Sequence, residues 1–139
     1  MDLNECFKKG FIKKTEVNVG LIKSLIEMSD VKELAVDTAN INEKNISAYV
    51  SLAYDSLREI LEALCISKGY KVLSHICIGE LLKDIIKDFE YGQFDRLRYV
   101  RNSINYYGEK VDFIQGKQII DKIFLMKKNI LGNYLKEIK

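Results

Sequence analysis

The segment at residues 47–68 constrains the fold more than any other part of the sequence. Its apolar residues recur at the i, i+3, i+4, i+7 spacing of one helix face: Val50, Ala53, Leu57, Ile60, Leu61 and Leu64. Asn45 or Ser47 can cap the start of this helix, and Gly69 stands where a C′ glycine belongs. The pattern predicts a long helix whose apolar face packs against other elements.

Helical spacing of apolar residues continues through most of the chain, which contains no proline. In the second helix we expect Leu21, Leu25, Met28 and Val36 to point inward. Gly10, Tyr91-Gly92 and Gly108 are placed to end helices. The other predicted helices span about 3–9, 17–40, 74–90, 94–107 and 116 to the end.

Short connections between long amphipathic helices favour antiparallel neighbours. The chain has 139 residues, enough for one core but not for two. We therefore expect an all-α fold, an up-and-down antiparallel bundle of four to six helices, formed by a single domain over residues 1–139.

Composition restricts the class of protein. The start of the chain lacks the apolar stretch of a signal peptide, and no uncharged run is long enough to cross a membrane. Cys6, Cys65 and Cys77 make no CxxC pair, and His75 is the single histidine. These residues predict a cytoplasmic protein with reduced thiols, no metal site and no cofactor.

Arginine is concentrated in one stretch of a chain that otherwise uses lysine. Of four arginines, against eighteen lysines, three fall at positions 96, 98 and 101. Residues 91–139 carry ten basic and five acidic side chains, an excess that suits contact with phosphate. A guanidinium group is a rigid fork that matches phosphate or carboxylate, unlike the mobile point charge of lysine.

The fifth predicted helix has two distinct faces. Leu97, Val100, Ile104 and Tyr107 form the stripe expected to pack inward. The neighbouring face holds side chains that can together bind a phosphate, read a base edge and stack on a ring: Arg98, Arg101, Asn102, Asn105 and Tyr106. The residues equally allow an internal ion-pair seam, in which Arg98 and Arg101 pair with acids such as Asp95 or Glu109 or with a neighbouring helix.

Three motifs together resemble the HEPN superfamily of small α-helical domains. They are the long helix AYVSLAYDSLREILEALCISKGYK at residues 48–71, the Ser74-His75 step that opens the next helix, and FDRLRYVRNSINYYG at residues 94–108. The resemblance implies a helical bundle and a homodimer in which paired late helices form a shared cleft. It further implies metal-independent ribonuclease activity in many members, some of them toxins with a nucleotidyltransferase antitoxin and others agents of antiviral defence.

The resemblance places the arginine of the ribonuclease motif at Arg101, with Asn102 as the polar residue that often follows it. A histidine is expected after four to six intervening residues, but Tyr106 and Gly108 occupy the ends of that window. Histidine titrates near neutral pH, whereas tyrosine is a weak base there, and loss of such a group costs about 10²–10⁴-fold in rate. The motif therefore predicts binding of RNA or a nucleotide with feeble cleavage or none.

Two other functions stay open from the residues. One is an active ribonuclease toxin that works through Arg101 with Tyr106. The other is a structural protein whose arginine-rich helix forms a dimer interface. We expect His75, at the first turn of its helix, to act as a cap or buried hydrogen-bond partner rather than in catalysis.

Overall fold

A computed structural model of the chain describes residues 1–138. Over these residues the fold is an all-α bundle, as predicted, with one small antiparallel sheet added. None of the described helices is both long and apolar enough to cross a membrane. The elements are α1 (Leu3–Lys8), β1 (Ile12–Lys14), α2 (Val19–Thr38), α3 (Ile46–Ser67), β2 (Tyr70–Val72), α4 (His75–Ile85), α5 (Tyr91–Tyr107) and α6 (Phe113–Tyr134).

Helix α3 lies at the centre of the bundle and packs against α2, α4, α5 and α6. All members of its predicted stripe, from Val50 to Leu64, are buried. Because neighbours surround it, α3 also buries polar side chains outside that stripe, including Ser56 and Glu59. These polar positions are where α3 forms contacts that the apolar pattern could not predict.

Side-chain caps and glycines fix half of the helix ends, and Asn45 at the start of α3 makes no side-chain cap hydrogen bond. Asp2, Asn18 and Asp112 each accept a hydrogen bond from a backbone N–H three residues on. The Asp112 cap starts α6 at Phe113, earlier than the predicted Gly116. Helix α6 ends at Tyr134 and does not continue to the chain end as predicted; the last residue lies outside the described residues. The predicted stops at Gly10, Gly69 and Gly108 are confirmed, since all three adopt the left-handed backbone that favours glycine.

The two-stranded sheet is absent from the sequence prediction. Ile12 of β1 pairs with Val72 of β2, and both side chains are buried. Each strand has only three residues, and the two are separated by all of α2 and α3. No turn signal joins them, so only the packed fold reveals the pair.

The boundary between α4 and α5 differs from the prediction. Helix α4 ends at Ile85 instead of about Glu90, because Ile86 is buried in extended backbone. Helix α5 then begins at Tyr91, so Tyr91-Gly92 opens a helix rather than breaking one. Tyr91 packs against α4 at Gly79, where a Cβ would lie 3.2 Å from the Tyr91 ring.

The inward face of α2 includes Val36 as predicted, but at the other three predicted positions it is rotated by about one residue. Ile22, Ile26 and Ser29 are buried, whereas Met28 is 49% exposed. Leucine and isoleucine are adjacent at 21–22 and at 25–26, so the spacing allows either phase. Ser29 decides it, because its hydroxyl donates to the backbone carbonyl of Ser56 on α3 at 2.7 Å.

The cysteines correct the expectation of reduced thiols. Cys6 of α1 and Cys77 of α4 form a disulfide, while Cys65 is a buried free thiol. The prediction of reduced thiols is therefore wrong for the first two. The two bonded cysteines are 71 positions apart in the sequence, and a chain with three cysteines does not indicate which of them pair. Burial raises the pKa of the Cys65 thiol to about 12, so this thiol stays protonated.

Candidate functional site

The structure gives carboxylate partners to both arginines of the predicted site. Arg98 Nη2 lies 2.8 Å from Asp95 Oδ1, one helical turn earlier on α5. Arg101 Nη2 lies 3.5 Å from Asp55 Oδ1 on α3. The ion pairing considered as an alternative is therefore present, to Asp95 and to a neighbouring helix. Whether these pairs satisfy all the donors of the two arginines depends on the other side chains around them.

Side chains from three helices converge where α5 crosses α3. Helix α3 contributes Arg58, whose Nε is 3.9 Å from the same Asp55 oxygen that Arg101 approaches. Helix α4 contributes His75, whose ring centroid lies 5.8 Å from that of Tyr54. The Arg101 guanidinium carbon lies 5.7 Å from the same Tyr54 ring. We call this group the arginine cluster: Tyr54, Asp55, Arg58, His75, Arg98 and Arg101.

The arginine cluster leaves several polar atoms without a partner. Over residues 1–138, five buried side-chain nitrogen or oxygen atoms make no hydrogen bond, and four of them belong to this cluster. The contacts of Asp55 Oδ1 with the two guanidinium groups are long and lack hydrogen-bond geometry. The four atoms are Tyr54 Oη, Asp55 Oδ1, Arg58 Nε and Arg101 Nε. Buried polar groups are usually paired, so such a concentration marks a candidate site.

The charges of the cluster act on its titratable groups. Burial, followed by the fields of Arg58 and Arg101, lowers the pKa of His75 to about 4, with Asp55 opposing. The imidazole is therefore neutral at pH 7. Burial also raises the pKa of the Tyr54 phenol, against the opposing fields of the arginines, so this hydroxyl keeps its proton.

The outer face of α5 extends the arginine cluster toward solvent. Tyr106 is 70% exposed, and its ring centroid lies 5.9 Å from the Arg101 guanidinium carbon. Asn102 Oδ1 accepts a hydrogen bond of 3.5 Å from Arg101 Nη1. Asn105 accepts one of 2.9 Å from the Ser51 hydroxyl on α3. The structure thus brings Arg101, Asn102 and Tyr106 together, with Asn105 one turn further along the helix.

One residue of the inward stripe of α5 is misplaced by the prediction. Leu97 is buried and Val100 and Ile104 are half-buried, but Tyr107 is 78% exposed. Burial thus declines along the stripe toward the C-terminal end of α5. Tyr107 is a surface residue, not a core residue as expected.

A surface groove lies away from the arginine cluster. It encloses about 910 Å³ between α2 and α6, and its lining includes Leu34, Leu125 and the buried Lys127. None of the predicted site residues lines it. Within residues 1–138, no three side chains of His, Cys, Asp or Glu come close enough to hold a metal ion.

The sequence indicated the arginines of α5 and Asp95 as a possible partner, and the Arg98–Asp95 pair is present, but it did not indicate which residues of the other helices surround them. Arg58, Tyr54 and Asp55 come from α3, and His75 comes from α4, so only tertiary packing joins them to α5. One signal was present, because Arg58 is the fourth arginine of a lysine-rich chain.

The chain was compared with family models, with curated proteins and with solved structures, and nothing matches it. The HEPN resemblance therefore rests on the three sequence motifs alone.

Proposed function

We propose that this chain is a HEPN-type domain that binds RNA or a nucleotide through phosphate, and that it cleaves RNA feebly or not at all. The observation that carries the proposal is the convergence of Arg58, Arg98 and Arg101 on one partly exposed surface, with the Nε–H groups of Arg58 and Arg101 unpaired. Charge-assisted hydrogen bonds from guanidinium to phosphate are among the stronger polar contacts in proteins.

A phosphate at this surface would compete with Asp55 for the guanidinium groups. The Asp55 carboxylate makes only long contacts to Arg58 and Arg101, of 3.9 and 3.5 Å. A phosphate oxygen at ordinary hydrogen-bond distance gains more from these donors than Asp55 does. In this view Asp55 pairs with Arg58 and Arg101 only while no phosphate is bound, and the pair does not serve mainly to stabilise the fold.

The exposed tyrosines of α5 fit a nucleic-acid ligand or a second copy. Tyr99 and Tyr106 are separated by two helical turns, and both rings are largely exposed. Stacking of a base on such a ring is worth about 1–3 kcal/mol and tolerates any base. A homodimer with paired α5 helices, which the HEPN resemblance implies, would use the same face and belongs to this proposal.

Matched arginine variants test the binding proposal. In fluorescence anisotropy with single-stranded RNA, we expect Arg101→Ala to weaken affinity about 10–100-fold, the worth of a hydrogen bond to a charged group. Arg96→Ala is the control, because Arg96 is an exposed arginine of the same helix outside the cluster. Affinity should also fall steeply with salt as counterions are released. Equal losses in the two variants, or no RNA binding at all, would remove the proposal.

Asp55→Asn separates the competing-anion view from a structural pair. The substitution keeps the shape of the side chain and removes its charge, so RNA should bind about fivefold more tightly if Asp55 occupies the phosphate position. Unfolding of the variant in urea controls for damage to the fold. Unchanged or weaker RNA affinity in a folded Asp55→Asn protein would argue that Asp55 and phosphate do not compete.

The cleavage part of the proposal has its own test. RNA incubated with the protein in the absence of added metal should stay intact over times in which HEPN ribonucleases with the motif histidine degrade it. Comparable degradation that disappears in Tyr106→Phe would show instead that Tyr106 replaces the histidine.

A further inference from the structure

His75 belongs to the arginine cluster by position. It is the first residue of α4, and its ring contacts the same Tyr54 ring as the Arg101 guanidinium does, from a different helix. Tyr54 is fully buried, so these two groups have a rigid common support. No side-chain cap hydrogen bond forms at the start of α4, and the imidazole makes no hydrogen bond to any other described residue, so the predicted role as a cap or hydrogen-bond partner is wrong.

The charges that face His75 come from α3 and α5. Arg58 and Arg101 repel a protonated imidazole most strongly, Arg98 does so more weakly, and Asp55 attracts it. Tyr54 carries no charge at neutral pH, since burial keeps its phenol protonated. The acids that pair with Arg58 and Arg98 are Glu62 and Asp95. Burial, with the fields of Arg58 and Arg101 added to it, lowers the pKa of His75, so the imidazole binds no proton at pH 7.

A bound phosphate reverses this balance. Its negative charge offsets the field of the guanidinium groups, and its oxygens accept hydrogen bonds from a protonated imidazole. The Tyr54 hydroxyl, fully buried and without a partner, is a further donor in the same place. Three of the four unpaired atoms of the cluster are donors, Tyr54 Oη, Arg58 Nε and Arg101 Nε. Three unpaired donors beside a neutral histidine favour completion of the site by an anion.

We propose that His75 forms part of the phosphate site of the arginine cluster and takes up one proton when the phosphate binds. The inference rests on the proposed function, because it needs a phosphate at Arg58 and Arg101. The proton comes from the buffer, an N–H bond forms on the imidazole, and this N–H donates to a phosphate oxygen. No bond of the phosphate breaks, so the step is binding and not catalysis.

Proton uptake makes affinity depend on pH. By linkage, the binding constant rises as pH falls wherever the complex holds more protons than its free components. If RNA restores most of the ordinary basicity of histidine, affinity should be about tenfold higher at about pH 5 than at about pH 8. His75→Gln removes the titrating group, so its affinity ratio between the two pH values should fall below about twofold. Arg96→Ala, outside the cluster, should keep the full ratio.

The single histidine allows a direct measurement, because the imidazole Cε1–H gives one proton NMR resonance. We would titrate this resonance with pH in the free protein and in the presence of a short oligouridylate, whose phosphodiesters and bases do not titrate in this range. The free protein should titrate near pH 4. With the oligouridylate the midpoint should move upward by about two pH units, the shift that corresponds to a tenfold affinity ratio.

The possible outcomes separate the two proposals. If the oligouridylate binds with the expected salt dependence but leaves the midpoint of His75 unchanged, the inference is wrong and the proposed function stands. If the oligouridylate does not bind at any pH, the proposed function is wrong and the inference falls with it. An affinity ratio in His75→Gln equal to that of the wild type would also overturn the inference.

Discussion

Two cations that contact adjacent residues of α3 are surrounded very differently. Lys127 of α6 is 2% exposed, and its ammonium lies 2.9 Å from Asp30, 2.6 Å from Glu33 and 3.3 Å from the Ser56 hydroxyl. Each of the three N–H donors of the ammonium group therefore has an acceptor. Ser56 and Ser29 also exchange hydrogen bonds between their hydroxyls and backbone carbonyls, at 2.7 and 2.9 Å. We call this group the lysine network: Ser29, Asp30, Glu33, Ser56 and Lys127.

Arg101 of α5 is nearly as buried, at 14% exposure, but its donors are poorly matched. Its two polar contacts, to Asp55 and Asn102, are both 3.5 Å long, and its Nε–H has no partner. The lysine network is therefore complete within the protein, while the arginine cluster is not. Burial alone does not distinguish a structural cation from a ligand-binding one, but the saturation of its donors does.

Removal of Lys127 should have the largest effect on stability. Lys127→Ala deletes a buried stem and leaves the Ser56 hydroxyl and two carboxylates without their cation, so we expect a loss of about 3 kcal/mol in unfolding free energy. The estimate is at the lower end for a buried pair, because Asp30 and Glu33 are partly exposed. Urea unfolding followed by circular dichroism measures it.

Two further variants sharpen this measurement. Lys128→Ala removes an exposed lysine next in the chain and should change the unfolding free energy by less than about 0.5 kcal/mol. Arg101→Ala should cost only about 1 kcal/mol, as expected for long, partly exposed ion pairs. A loss in Arg101→Ala as large as in Lys127→Ala would mean that both clusters are structural.

Hydroxyl deletions on α3 give a second, smaller contrast. Ser56→Ala removes hydrogen bonds from the lysine network and should lower the unfolding free energy by about 1–2 kcal/mol. Tyr54→Phe removes a buried hydroxyl that has no partner, so stability should stay within about 0.5 kcal/mol or rise. Thermal unfolding of both variants compares them. A clear loss of stability in Tyr54→Phe would show that its hydroxyl is already satisfied within the fold.

The parts of the fold that could be predicted are those that depend on residues close together in the sequence. The stripe of α3 and the glycine stops at Gly69 and Gly108 depend on neighbours a few residues away, and all are confirmed. The sheet and the Cys6–Cys77 disulfide join residues far apart in the chain, and nothing local marks either of them. Which face of α2 points inward was ambiguous for a different reason. The apolar residues allow two faces, and the contact that selects one of them is a hydrogen bond of the polar Ser29.

The site follows the same division. Arg98 and Arg101 were found because arginine is rare in this chain and clusters on α5. Their environment was not predictable, because whether a carboxylate satisfies a guanidinium depends on distances across helices. Asp55 and His75 could be recognised as neighbours of Arg101 only once α3, α4 and α5 were packed together.

The smallest expected effect is a difference in acid stability that originates in the arginine cluster. His75 has a pKa of about 4 in the folded protein and about 6.5 when unfolded. Between these values the unfolded chain binds more protons, so stability falls as pH drops through this window and the fall is complete below about pH 4. Solvent screening of the half-exposed imidazole reduces the contribution to about 1 kcal/mol.

His75→Gln isolates this contribution from the carboxylates that titrate in the same range. Its unfolding free energy should fall by about 1 kcal/mol less than that of the wild type between about pH 7 and pH 4.5. Arg96→Ala should follow the wild type, since Arg96 lies outside the cluster. Parallel stability curves for the wild type and His75→Gln would mean that neither burial nor the guanidinium groups disfavour the protonated imidazole. The arginine cluster would then be as well compensated as the lysine network, and its unpaired donors would no longer indicate an anion site.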